Sequence, residues 1–200
     1  LHKAIRRQRQ MCIRDSDYDE LKNFWWMDVY AYGRYPKAAM NYLRKKGFAP
    51  VVTKDDQKIL KAAAAEIDFM GVNYYQSCVC EYNPMDGVTP YGTMNTTGVK
   101  GSAQVLGVPG IYKNPGNPYL MTTDWDWSID PVGLRYCCRE ITSRYDLPII
   151  ISENGLGAFD KKTEDHKIHD EYRIDYLREH LKELGLSLIH ISEPTRQAEI

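Results

Sequence analysis

Apolar positions along this chain fall into two periods, and each predicts a different kind of element. Leu134, Cys137, Cys138, Ile141 and Tyr145 lie three and four residues apart, the spacing of one helical face. Asp130 stands where it can cap that helix, with Pro131 in its first turn. Ile174, Leu177, Leu181 and Leu184 repeat the spacing, so residues 171–184 read as a second amphipathic helix with those four as its core face. Upstream, Pro36 opens a helical stretch over residues 37–46, and Gly47 stops it. Thr53 reads as the N-cap of a further helix over residues 54–66. The short runs IDFMGVNYY (67–75) and LPIIIS (147–152) are continuous, apolar and rich in β-branched or aromatic residues, which predicts buried strands. Alternation along the first puts Phe69, Gly71, Asn73 and Tyr75 on one face and Met70, Val72 and Tyr74 on the other. On the second it puts Glu153 on the face of Ile149 and Ile151.

Two stretches lack a period. Residues 17–35 are aromatic and irregular, with Phe24, Trp25, Trp26 and Tyr30. Residues 78–126 are rich in Gly, Pro, Asn and Thr and read as one long loop, a length that usually signals function or disorder. Helices alternate with buried strands and no hairpin signal joins the strands. This predicts an α/β fold with parallel strands. A closed barrel of eight βα units typically needs about 250 residues, so an open doubly wound sheet competes with a barrel at this point.

The two ends follow neither period. Residues 1–16 and 186–200 resemble translations of transposon-type sequencing adapters, and the codons can be compared. Residues 10–16 back-translate to CAG ATG TGT ATA AGA GAC AG, and residues 186–191 to CTG TCT CTT ATA CAC ATC T. Apart from the leading C of the first, the two strings are reverse complements, which unrelated termini would rarely be. Both ends are therefore set aside, as fusion scars are. The expected protein is residues 17–185, cut short on both sides, with ends that do not complete its sheet.

Composition narrows the classes. The chain has 200 residues, 43% of them hydrophobic, and a formal net charge of −1, ordinary for a soluble globular protein. Nucleic-acid binding needs a basic excess that is absent here, so no nucleic-acid partner is expected. No apolar run is long enough to span a bilayer, and no membrane association is expected. The five cysteines include Cys78 and Cys80, two apart, and the adjacent Cys137 and Cys138. Neither spacing is a zinc pattern, so they read as reduced thiols of a cytoplasmic protein, with no metal site. His166 and His169 lie in a polar loop without a third ligand.

Glu153 is the residue most suggestive of chemistry. It ends a buried parallel strand, where βα folds gather their active sites and where an unpaired carboxylate is costly. The competing reading is a structural carboxylate that caps the Asn154–Gly155 turn or pairs with an arginine.

Five segments resemble glycoside hydrolase family 1, in the family's order. IIISENGLG (149–157) is similar to its nucleophile signature and DFMGVNYY (68–75) to a second strand. FWWMDVYAYGRYP (24–36), WSIDPVGLR (127–135) and HDEYRIDYLREHL (169–181) supply the rest, so the likeness covers residues 17–185. The resemblance implies a partial (β/α)8 TIM barrel, holding the later βα units only. It implies a retaining β-glycosidase in which Glu153 is the nucleophile and Tyr75 the tyrosine that contacts and orients it. Asn73 corresponds to the asparagine beside the nucleophile, and Trp127 to an aromatic residue lining the leaving-group side of the sugar site. For Trp127 a core anchor is the competing reading. No cofactor is implied. Within the family the chain is most similar to bacterial 6-phospho-β-glucosidases, which implies a phosphorylated disaccharide or another small β-glycoside as substrate. A β-glucosidase or β-galactosidase on plain sugars is the alternative. The family's acid/base glutamate, in an Asn-Glu-Pro segment, has no counterpart in the sequence, nor has its final sugar-binding strand. The chain by itself is therefore expected to be inactive, and an inactive fragment with no enzymatic function of its own is the remaining alternative.

Overall fold

The computed structural model describes residues 18–84, 95, 99–102 and 106–191. They form two compact units. The first contains helices α1 (Phe24–Tyr32), α2 (Lys37–Lys46) and α3 (Lys54–Ala64), with the hairpin strands β2 (Leu106–Val108) and β3 (Tyr112–Asn114). The second contains strands β1 (Met70–Tyr74) and β4 (Ile149–Asn154) with helices α4 (Pro131–Tyr145) and α5 (Glu171–Ile191).

In the first unit the stretch expected to be irregular holds α1. Its lack of a clear apolar stripe hid it, since it is apolar on most sides. Gly33 ends α1 in the left-handed region (φ 61°) and donates to the Val29 carbonyl. A Cβ at Gly33 would lie 2.6 Å from the Leu60 carbonyl oxygen of α3, so only glycine allows this approach. At α3, Thr53 and Asp56 form a capping box: Thr53 Oγ1 accepts from the Asp56 N–H at 3.1 Å, and the Thr53 N–H donates to Asp56 Oδ2 at 2.8 Å. The stretch read as one long loop contains the antiparallel β2–β3 hairpin, which corrects the expectation of no hairpin. Its strands are too short to show a period, and Gly110 supplies the positive φ (78°) of its turn.

In the second unit β1 and β4 pair in parallel, the arrangement expected of a βαβ unit. Met70, Val72 and Tyr74 are buried while Gly71 and Asn73 are exposed, the alternation read from the sequence. The buried side packs on α4: Tyr74, Leu134 and Cys138 form the cluster, with Ile149, Ile151, Cys137 and Leu184 against it. Asp130 caps α4 by accepting from the Gly133 N–H at 2.9 Å.

Two expectations fail here. Ile149 and Ile151 face α4, and Glu153 does not share their face. Val72 pairs with Ile151 but Asn73 pairs with Glu153, so Ser152 is an extra residue, a bulge that reverses the alternation. On α5, Ile174, Leu177 and Leu181 are 52%, 38% and 65% exposed, so they are not its core face. Tyr176, His180 and Ser187 are buried instead. Burial of these polar side chains is possible because each has a bond: Tyr176 to the Tyr75 carbonyl, His180 Nδ1 to the Tyr176 carbonyl and Ser187 to the Leu184 carbonyl. The helix also continues past residue 184 to Ile191. Of the expected ends, residues 186–191 continue α5 and include the buried Ser187, while residues 1–16 and 192–200 lie outside the described residues.

Candidate active site

The C-terminal ends of β1 and β4 bring the expected residues together on the face of the sheet opposite α4. Tyr75, just past β1, donates a hydrogen bond from its hydroxyl to Glu153 Oε2. Asn73 and Glu153 are register partners across the two strands. The Asn73 amide oxygen accepts from the Ser152 hydroxyl at 2.7 Å. The Trp127 ring lies 5.6 Å from the Tyr75 ring at an interplanar angle of 57°. Tyr75 thus links Glu153 to Trp127 while Asn73 stands beside Glu153 in the ladder, with Glu153 and Asn73 exposed and Tyr75 and Trp127 half-buried.

Trp127 is held by a tight turn. The Thr123 N–H donates to the Trp127 carbonyl at 2.9 Å, and Thr123 Oγ1 accepts from the N–H groups of Trp125 and Trp127 at 3.1 and 3.3 Å. Asp126 takes a left-handed conformation (φ 62°), and its carboxylate accepts from the Gly101 N–H at 2.8 Å and the Asn95 amide at 2.8 Å. Asp is one of the few side chains that tolerates this backbone. Trp125 meets Trp127 edge to face at 6.1 Å and Phe159 at 6.2 Å, extending the aromatic wall. A Cβ at Gly157 would lie 2.7 Å from the Trp125 ring, so glycine lets the chain after Glu153 lie against that wall.

Behind the site three side chains fix the end of β1. The Tyr74 hydroxyl donates to the Asp130 carbonyl at 2.8 Å. Asn154 Nδ2 donates to the Tyr74 carbonyl at 2.8 Å, and the Tyr176 hydroxyl donates to the Tyr75 carbonyl at 2.9 Å. Burial pushes the Tyr74 hydroxyl far up and the Tyr176 hydroxyl up to about 12, so both remain donors at any working pH. Sequence reasoning missed Ser152, Asn154, Tyr176, Trp125 and Phe159. Only Asn154, beside Glu153 in the turn, carried a local signal; the others act across the fold.

His169 pairs with Asp165 at 3.0 Å, and among the described residues no group of three or more His, Cys, Asp or Glu could hold a metal ion. No helix among them is long and apolar enough to cross a membrane.

Residues 7–193 match the family described as glycosyl hydrolase family 1, past both limits expected from the sequence. The chain belongs to this family. It is 52% identical over 165 residues to the aryl-phospho-β-D-glucosidase BglC of Bacillus subtilis, covering 82% of this chain and 34% of that protein. It is 34% identical over 164 residues to the 6-phospho-β-glucosidase AscB of Escherichia coli, covering 82% of this chain and 30% of that one. The chain thus spans about a third of the length of the curated relatives it matches. Among solved structures it resembles the family 1 β-glucosidase from Thermotoga maritima, with a TM-score of 0.67 at 22% identity, over 88% of this chain and 33% of that one. The fold is therefore part of a (β/α)8 TIM barrel, in which β1, α4, β4 and α5 make up βα units.

Proposed function

We propose that this family 1 chain carries the nucleophile half of a retaining β-glycosidase site that acts on 6-phospho-β-glucosides. The observation that supports the reading best is the hydrogen bond from Tyr75 to Glu153 on the open face, beside Trp127. In this reading Glu153 attacks the anomeric carbon, the glycosidic oxygen departs with a proton, and water then hydrolyses the glycosyl ester. Tyr75 holds the attacking carboxylate, since effective molarity depends on near-attack geometry. Asn73 contacts the sugar, and Trp127 stacks on the leaving-group side, where aromatic faces suit apolar ring surfaces. The acid that protonates the departing oxygen must come from outside this sequence, which has no Asn-Glu-Pro segment. The phosphorylated substrate follows the relatives whose names specify phospho-β-glucosides. We propose further that the native segment is residues 17–185 and that the enzyme is cytoplasmic, where sugars phosphorylated during uptake arrive.

The test uses the full-length enzyme carrying this segment. A 2-fluoro glycoside should trap a covalent intermediate on the peptide containing Glu153, and Glu153→Gln should abolish trapping while the fold is retained. Labelling at another residue refutes the assignment. A kcat/KM for a 6-phospho-β-glucoside no higher than for its unphosphorylated counterpart refutes the substrate class.

A further inference from the structure

Ser152 is the surplus residue of β4, and nothing said so far about the reaction uses it. Val72 pairs with Ile151 and Asn73 with Glu153, so Ser152 has no partner in the ladder. In a regular strand without the bulge at Ser152, alternation from Ile149 and Ile151 would turn Glu153 toward α4. With it, Glu153 reaches the open face. The Ser152 side chain lies on the same face, beside Gly71, where an added Cβ would be 3.8 Å from Ser152 Oγ.

The Ser152 hydroxyl has one proton and two acceptors within reach. The Asn73 amide oxygen lies at 2.7 Å and the Val72 carbonyl at 3.3 Å. The shorter contact takes the proton. A carboxamide is planar, with its oxygen and its NH2 group on opposite sides. Once the oxygen is committed to Ser152, the NH2 group is left on the other side of the amide, on an exposed residue whose ladder partner is Glu153. An exposed asparagine without that bond would offer oxygen or nitrogen with similar ease. An oxygen there would repel the attacking carboxylate, whereas an N–H supports it and the sugar hydroxyls.

We propose that Ser152 is a positioning residue of the glycosidase site. Its bulge turns Glu153 to the open face, and its hydrogen bond to Asn73 Oδ1 holds the Asn73 amide as an N–H donor toward sugar and carboxylate. The inference rests on Glu153 being the nucleophile, and trapping of the unsubstituted enzyme at Glu153 tests that reading separately.

The experiment is a double-mutant cycle in the full-length enzyme, read by the rate of glycosylation in a single turnover. Loss of one orienting hydrogen bond should slow Ser152→Ala by about five- to tenfold in kcat, with KM little changed. Ser152→Thr keeps the hydroxyl and should restore the rate. Asn73→Ala should be slow, and adding Ser152→Ala to it should slow it no further. Asn73→Asp keeps an acceptor for Ser152 but loses the donor, so it should be at least as slow as Asn73→Ala; this variant decides the matter even where Ser152→Ala does not fold. An unchanged rate in Ser152→Ala, additive effects in the cycle, failure of threonine to rescue, or a near-normal rate in Asn73→Asp would each overturn the proposal.

Discussion

A tyrosine hydroxyl and a glutamate carboxylate meet across neighbouring parallel strands because each strand delivers its side chain to the same face by a different route. Tyr75 arrives by plain alternation from Asn73, which is why its face was legible in the sequence. Glu153 arrives through the Ser152 bulge, which was not legible, because an extra residue leaves no mark in a run of isoleucines. Glu153 stands out by its place at a strand end and Tyr75, Asn73 and Trp127 by resemblance, whereas their proximity is a property of the fold. The Tyr75 hydroxyl is a donor to a charged acceptor, a bond that contributes about 1.5–3 kcal/mol. Tyr75→Phe in the full-length enzyme should therefore lower kcat roughly ten- to hundredfold, by leaving the carboxylate less well aimed. KM should change far less, since the lost bond does not touch substrate. A Phe variant with normal kcat would remove Tyr75 from the site's machinery.

Helix α5 shows what periodicity conveys and what it hides. Its existence was legible, but its core face was not, because two stripes compete on it. The aliphatic stripe of Ile174, Leu177 and Leu181 is exposed, and the stripe of Tyr176 and His180 is buried. Polar groups gain burial only where partners wait for them, and a sequence does not show that the Tyr75 carbonyl is one such partner. His180 stacks on Tyr176 at 3.8 Å, with the Tyr74 ring 6.0 Å away, and desolvation depresses its pKa below the ordinary 6.5, against weaker raising effects from the Tyr176 carbonyl and Asp130. The sign of the consequence follows from proton counts. Below about pH 6.5 the unfolded chain protonates this imidazole while the folded chain still holds it neutral. The unfolded state then binds more protons, so stability is full above that pH and falls as pH is lowered through it. Urea midpoints measured from about pH 7.5 to pH 5 should fall less steeply for His180→Gln than for the unsubstituted protein. Equal slopes would mean that His180 titrates alike in both states.

At the scale of the whole molecule, the alternation of helix and strand indicated an α/β fold but left barrel and open sheet undecided, because two strands satisfy either. The likeness to family 1 structures resolves that choice. Both pairing strands of the second unit have one edge without a partner among the described residues, and Phe69 and Ile150 on the open face are 49% and 48% exposed. That face is the side on which a barrel of this kind lines its interior, so the chain presents a wall of the site rather than a closed pocket. A retaining glycosidase needs two carboxylates about 5–5.5 Å apart, one to attack and one to protonate the departing oxygen. In the proposed reading Glu153 takes the first task, and the sequence has no Asn-Glu-Pro glutamate for the second. General acid catalysis contributes typically 10²–10⁴-fold, so the 200-residue chain should hydrolyse an alkyl β-glycoside at least that much more slowly than a full-length family member. The deficit should also depend on the leaving group. A nitrophenolate departs with little help from an acid, whereas an alkoxide needs its proton, so the shortfall should be larger for alkyl than for nitrophenyl glycosides. Turnover of both substrates at the rate of an intact relative would show that a second carboxylate of this chain performs the acid step, and would overturn the division of labour argued from Glu153.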